Sequence, residues 1–155
     1  SPGKTDILVS NTDFLPSLLD YMGLKHRIPK GPKQKLTGRS YAAVLRGQPI
    51  EWKTAMYYEM EGCRSVRTER WKYVARRSPA GPGELYDMQA DPHERFNLYG
   101  QPEHAETQKQ LAAQMDAWFE EYANPEYDIW KGGRSKARRH YAPKGHPDYR
   151  PLRKF

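Results

Sequence analysis

The sequence predicts an α+β fold, a small four-stranded antiparallel sheet with a C-terminal helix packed across it. Residues 64–74 form two short alternating runs about a polar turn at 68–70, which is the pattern of a β-hairpin. Residues 83–99 place apolar side chains on both sides of Asp91-Pro92, and this pair favours a tight turn because proline fixes φ and aspartate hydrogen-bonds its own backbone. Residues 103–123 carry apolar side chains at helical spacing. In the segment around the turn, we expect burial of Leu85, Met88, Phe96 and Leu98.

The N-terminal part, residues 1–24, is predicted to hold a short strand and one amphipathic helix. Residues 7–9 favour a strand or an extended entry, and the helix follows from about residue 12 to 22. Pro16 fits the first helical turn, where its missing N–H costs little, and Gly23 supplies a stop. The helix carries one apolar stripe, made of Phe14, Leu15, Leu18, Leu19 and Met22.

The next segment, residues 25–53, is predicted as a linker that contains a short helix at about residues 41–46. Its first part is basic and rich in Pro and Gly. Residues 54–124 then form the sheet-bearing subdomain. The four strands are predicted at residues 54–60, 63–67, 71–76 and 84–88. The stripe of the last helix, which suits packing across a sheet, consists of Leu111, Met115, Trp118, Phe119 and Tyr122.

The last segment, residues 125–155, is predicted as a basic tail. From residue 131 onward nine Lys or Arg accompany one Asp, a formal charge of +8, so the first 130 residues sum to −1. Such a tail suits contact with polyanions such as sulfated glycans, nucleic acid or anionic membrane. The alternative is a solvated extension that wraps the parent domain. No apolar run of the sequence is long enough to span a bilayer.

Four motifs follow one another in a fixed order. They are V-S-N-T-D-F-L-P-S-L-L-D-Y-M-G at 9–23, L-T-G-R-S at 36–40, R-S-V-R-T-E-R-W-K-Y-V at 64–74 and E-L-Y-D-M-Q-A-D-P-H-E-R-F-N-L at 84–98. Together they resemble the C-terminal portion of the type I, formylglycine-dependent sulfatases of the alkaline phosphatase superfamily. The resemblance implies that residues 1–24 end a larger α/β catalytic domain, to which the first helix belongs. It also implies a nucleophile and a calcium ion in the parent enzyme, upstream of this chain, and a periplasmic or secreted location.

No residue of the chain is assigned a catalytic, cofactor-binding or metal-binding role. Cys63 and Arg67 match the ends of C-x-P-x-R, from which sulfatases build formylglycine, but Ser65 replaces the proline and the motif lies in a predicted strand. Cys63 is therefore interpreted as a small apolar residue. Asp13 is interpreted as a charge partner of the first helical turn. Solvated side chains, with no second ligand at metal spacing, are predicted for His26, His93, His104 and His146.

Two arginines of the predicted hairpin, Arg64 and Arg67, are the candidates for substrate binding. A guanidinium offers a planar fork of donors to an oxyanion such as a sulfate group. In the alternative interpretation, strand alternation turns Val66 inward and leaves the arginines on solvent or on neighbouring carboxylates such as Glu59 and Glu61.

The resemblance therefore implies the C-terminal fragment of a sulfatase, a sulfuric ester hydrolase. The fragment would support the upstream catalytic domain and frame the pocket for a sulfated small molecule or glycan, without being catalytic alone. The competing hypothesis is a non-enzymatic basic α+β module that binds anionic polymers. Aryl sulfate, sugar sulfate and sulfamate all stay open as substrates, because specificity lies in pocket loops.

Overall fold

A computed structural model describes residues 3–28, 36–60, 62–77 and 80–133 of the chain. A 3-10 turn at Asn11–Asp13 leads into helix α1, Phe14–Tyr21, and a second turn at Lys25–Arg27 follows. Helix α2 is Ala42–Leu45. The strands are β1 (Ala55–Met60), β2 (Cys63–Thr68), β3 (Trp71–Arg76) and β4 (Glu84–Asp87). A 3-10 turn at Pro102–His104 opens helix α3, Ala105–Tyr122, and Ile129–Lys131 forms a last 3-10 turn.

The four strands form one antiparallel sheet in the order β1-β2-β3-β4. Its central row runs through Tyr57, Val66, Tyr73 and Leu85, which are aligned by the register of successive pairs. Because side chains alternate along a strand, this row points to one face, and α3 packs on that face. The predicted α+β architecture is confirmed.

The core lies between this face and the apolar stripe of α3. Val66 and Leu85 are fully buried, and they pack in one cluster with Leu111, Met115 and Phe119 of the helix. Burial of each side chain of this size contributes roughly 1.5–3 kcal/mol to stability. The stripe that the sequence predicted for the last helix is therefore the one that holds it on the sheet.

The turn after β4 is built as the sequence predicted. The carboxylate oxygen Oδ2 of Asp91 accepts hydrogen bonds from the backbone N–H groups of Arg95 (2.6 Å) and Phe96 (2.8 Å). Asn97 then ties the returning chain to β4, since its Oδ1 accepts from Leu85 N at 3.0 Å. The burial predicted for Phe96 is wrong, because its side chain is 67% exposed. Its N–H is consumed by the turn, and this geometry leaves the ring outside the core.

In the N-terminal part, residues 7–9 do not form a strand, which was one of the two alternatives for them. The Leu8 carbonyl accepts a hydrogen bond from the Trp52 indole at 2.8 Å. Helix α1 packs on α2 and on its flanking 3-10 turns, and not on the sheet. Within the described residues, no helix combines the length and the apolar character that a membrane crossing requires.

Candidate functional surfaces

Arg64, one of the two predicted substrate ligands, lies on the sheet face that α3 covers. It sits two residues before Val66 in β2, so alternation places both on the same face. The side chain is only 4% exposed. The expectation that alternation separates Arg64 from Val66 is therefore wrong, since residues two apart in a strand share a face.

The guanidinium of Arg64 is enclosed by two carboxylates and two rings. It donates to Glu59 at 3.0 Å, as the alternative interpretation expected, and to Asp128 at 2.7 Å. Its carbon Cζ lies 4.0 Å from the ring centre of Phe119 and 5.2 Å from that of Trp130. All of these contacts are internal, so the group is not presented to a ligand by the described structure.

Asp128 belongs to a tight loop after α3 that the sequence did not predict. Its Oδ1 also accepts from Trp130 N at 2.9 Å, and its carbonyl accepts from Gly133 N at 2.7 Å. A Cβ atom on Gly133 would lie within 2.7 Å of backbone atoms of Asp128 and of Pro125, so the close approach needs glycine. Asp128 stands 64 residues after Arg64, and no local pattern signals so distant a pair.

Arg67, the other predicted substrate ligand, lies on the opposite face of the sheet. We call this the open face, and α3 does not pack on it. By register and alternation it consists of Met56, Tyr58, Met60, Cys63, Ser65, Arg67, Lys72, Val74, Arg76, Glu84 and Tyr86. Arg67 donates to the backbone carbonyls of Thr68 and Glu69, and Lys72, its cross-strand partner, pairs with Glu94. Arg67 has no ion pair with a carboxylate of the described residues.

Cys63 lies half-buried on the open face and is a free thiol. The Arg76 guanidinium contacts its sulfur at 3.2 Å and pairs with Glu84. The Glu84 carboxylate is also the main reason that the pKa of Arg76 is raised. The arginine beside the thiol is thus engaged by a carboxylate of the neighbouring strand.

A second polar cluster joins α1 to the Gly38-Arg39-Ser40 turn. Asp13, interpreted from sequence as a first-turn charge, is completely buried and has longer-range partners. Its oxygens accept from Ser10 N (2.8 Å), Arg39 N (2.8 Å) and Lys53 Nζ (2.5 Å). Burial acts to raise the pKa of Asp13, but the bonds from Lys53 and from the two backbone groups outweigh it and lower that pKa.

Gly38 explains why this turn can approach so closely. A Cβ atom at this position would lie 1.9 Å from the carbonyl oxygen of Thr12. Ser17 adds a further link, since its hydroxyl donates to Asp13 O (2.6 Å) and accepts from Tyr41 N (3.0 Å). The first two sequence motifs therefore meet in one hydrogen-bonded cluster. We call this cluster the N-terminal lock, and it consists of Ser10, Asp13, Ser17, Gly38, Arg39, Tyr41 and Lys53.

The histidines and acidic residues do not assemble into a metal site in the described part of the chain. No group of three or more His, Cys, Asp or Glu side chains there could hold an ion. The buried carboxylates of Asp13 and Asp128 are each bound by a cationic side chain, Lys53 and Arg64 respectively. His26 and His93 are exposed and His104 contacts the Trp71 ring, whereas His146 lies outside the described residues. The basic tail beyond residue 133 also lies outside them.

The fold and the interlocked motifs define the C-terminal domain of a sulfatase of the alkaline phosphatase superfamily. The family model described as "N-sulphoglucosamine sulphohydrolase, C-terminal" matches residues 1–121. The chain belongs to this family. The Asp128 loop that holds Arg64 lies beyond the matched residues.

Curated relatives include two sulfatases of Bacteroides thetaiotaomicron. An N-acetylglucosamine-6-O-sulfatase is 29% identical over an alignment of 150 residues, and the match covers 85% of this chain and 26% of that protein. A Delta 4,5-hexuronate-2-O-sulfatase is 33% identical over an alignment of 116 residues, and the match covers 69% of this chain and 23% of that protein. The chain thus spans about a quarter of the length of these relatives.

Solved structures agree with the sequence relatives. BT4656, in complex with its substrate D-glucosamine-2-N,6-O-disulfate, superposes with a TM-score of 0.55 at 30% identity, over 71% of this chain and 24% of that one. BT1596, a 2-O GAG sulfatase, gives a TM-score of 0.57 at 30% identity, over 73% and 25% of the two chains. The matched structures confirm the fold that the sequence predicted.

Proposed function

We propose that this chain is the C-terminal part of a sulfuric ester hydrolase, supporting the catalytic domain without being catalytic alone. The exposed apolar stripe of α1 carries this proposal. Leu15 is 48% exposed and Leu18 is 42% exposed, although the chain completes a well-buried core elsewhere. A contiguous apolar helix face in water marks a contact surface. An upstream catalytic domain would bury this helix face. Such a domain is consistent with the match, which covers only about a quarter of the length of the relatives.

For the parent enzyme we propose a sulfated sugar as substrate class. The two curated relatives named above are sulfatases of sulfated sugars, and BT4656 was solved with a disulfated glucosamine. Within this chain, Arg67 is the better candidate for contact with a sulfate group, since Arg64 is internal and Arg67 lacks an ion pair with a described carboxylate. We also propose that the parent protein is exported, as the family resemblance implies. Its calcium ligands would lie upstream, because the described carboxylates do not fit a calcium site.

The first test compares the hydrolytic activity of the chain with that of the longer protein. We expect the purified chain to leave a chromogenic aryl sulfate intact in the presence of calcium, and the longer protein encoded by the same reading frame to hydrolyse a sulfated sugar. Cys63→Ala should change neither result. The sequence around Cys63 is not a complete C-x-P-x-R motif, and no metal-binding group lies among the described residues. Turnover by the chain alone that disappears in the Cys63→Ala variant would overturn the proposal.

The second test addresses the contact surface itself. We expect Leu15→Lys with Leu18→Lys to leave the melting temperature of the isolated chain unchanged, because both side chains are already solvated there. In the longer protein the same pair should lower that temperature by several degrees, since two buried charges would lack partners. Ala113→Lys, on the exposed side of α3, is the matched control. Equal stability of variant and control in the longer protein would contradict the proposal.

A further inference from the structure

The open face is not uniform, because its β1 side is apolar. The side chains that β1 directs to this face are Met56, Tyr58 and Met60. Tyr58 is 55% exposed and Met60 is 60% exposed, whereas Val74 in the middle of the face is buried. The charged side chains of this face are Arg67 of β2, directly opposite Met56, and Lys72, Arg76 and Glu84 of β3 and β4, at the other side.

The outer edge of β1 is also free among the described residues. The strand pairs with β2 alone and has no described strand on its other side. Edge strands are usually guarded by Lys, by Pro or by a bulge, and the sequence Ala-Met-Tyr-Tyr-Glu-Met has none of these. Glu59, its one charged residue, points inward to the other face, where its charge is paired with that of Arg64. An edge with this single guard beside exposed large apolar side chains is typical of a covered surface.

The apolar side of β1 adjoins the α1 region through residues 52 and 53. Lys53 Nζ binds the buried Asp13 at the start of α1, and the Trp52 indole binds the carbonyl of Leu8. Strand β1 begins two residues later at Ala55. One partner can therefore reach both the α1 stripe and the β1 side of the open face.

We propose that the β1 side of the open face is a second docking surface, covered by the same upstream part of the polypeptide that covers α1. The inference rests on the proposed function, which supplies the partner. About three quarters of the length of the relatives lies outside the matched region, enough chain to cover both surfaces. The proposal predicts that the side chains of Met56, Tyr58 and Met60 are buried in the longer protein.

Methionine oxidation tests this surface against the one on α1. Met22 and Met60 are 61% and 60% exposed, one in each surface, and Met115 is 2% exposed in the core. In the isolated chain, dilute hydrogen peroxide followed by peptide mass spectrometry should oxidise Met22 and Met60 quickly and Met115 slowly. In the longer protein we expect both exposed methionines to slow by about tenfold or more, because sulfoxide formation requires access to the sulfur.

The outcomes separate the two proposals. Protection of Met22 with an unchanged rate at Met60 would overturn the second surface and leave the proposed function intact. Unchanged rates at both would overturn both. Protection of Met60 in the isolated chain that grows with protein concentration, together with a dimer in sedimentation, would assign the surface to a second copy and overturn the upstream partner.

A substitution provides an independent measurement. Tyr58→Lys with Met60→Lys should leave the isolated chain as stable as the Ala113→Lys control, since all three positions are exposed there. In the longer protein the pair should lower the melting temperature relative to the control. Equal melting temperatures in the longer protein would overturn the second surface.

Discussion

Arg64 links three parts of the chain that are distant in sequence. Its guanidinium joins β1 through Glu59 and the C-terminal loop through Asp128, and it lies against Phe119 of α3. The desolvation of a buried charge is costly, and its partners offset this cost only while all of them are present. Arg64, which the sequence motif suggested as a substrate ligand, is therefore occupied by contacts within the protein.

Truncation of this side chain should be among the more damaging single changes. We expect Arg64→Met to lower the free energy of unfolding by about 3–5 kcal/mol, because Asp128 would stay buried without a cation. Arg67→Met should change it by about 0.5 kcal/mol or less, since the partners of this side chain among the described residues are carbonyls of its own turn. Denaturant titration of both variants measures the difference. Similar losses in the two variants would show that the Arg64 contacts contribute little.

The residue scale is also where sequence reasoning reaches its limit. Val66 and Leu85 could be placed in the core from alternation alone. The pairing of Arg64 with Asp128 could not, because it depends on how the chain returns after α3. Phe96 was misplaced because its apolar side chain suggested burial, whereas its position was decided by the backbone hydrogen bonds to Asp91.

At the scale of elements, the N-terminal lock couples α1 to the turn before α2. Asp13 receives the N–H of Arg39 across 26 residues, and Ser40 donates to Asp20 at 2.7 Å. Helix and strand bounds followed closely from apolar periodicity, since each element buries one face. Apolar periodicity could not predict the lock, because the lock is made by backbone donors and by a glycine that permits close approach.

The lock should respond to acid. The pKa of the Asp13 carboxyl is lower in the folded chain than its ordinary value, so the folded state binds its proton more weakly. Its stabilising contribution is therefore complete above the unfolded pKa of about 3.9 and is lost as the pH falls through the lower folded value. We expect stability to fall less steeply below about pH 4 in Asp13→Asn than in the parent chain. Urea titrations from pH 6 to pH 2 would show this.

The control for that titration is Asp6→Asn, at an exposed position outside the lock. Its acid profile should follow that of the parent chain. Asp20 and Asp87 also have lowered pKa values, through Ser40 and Arg70 respectively, so some acid dependence will persist in every variant. Identical acid slopes for Asp13→Asn and the parent chain would show that Asp13 does not link folding to protons.

At the scale of the whole molecule, the net positive charge is separated from the rest of the sequence, at its C-terminal end. Residues 134–155 hold eight Lys or Arg and one Asp, a formal charge of +7, which equals that of the entire sequence. The preceding residues are therefore neutral overall. The last described residue, Gly133, is fixed to Asp128, so a chain that ends there would keep the loop around Arg64.

This separation gives the alternative hypothesis of polyanion binding a direct test. If the tail binds polyanions, its affinity is mostly electrostatic and weakens steeply with salt, because each neutralised phosphate or sulfate releases counterions. We expect the full chain to be retained on a heparin column and a chain truncated after residue 133 to pass through at low salt. Lys109→Gln in the full chain, at an exposed position of α3, is the control for cations of residues 1–133, and it should elute close to the parent. The truncated chain should unfold at the same denaturant concentration, since Asp128 and Gly133 are retained. Equal retention of truncated and full chains would assign any heparin binding to residues 1–133, and would favour the alternative of a tail that wraps the parent domain.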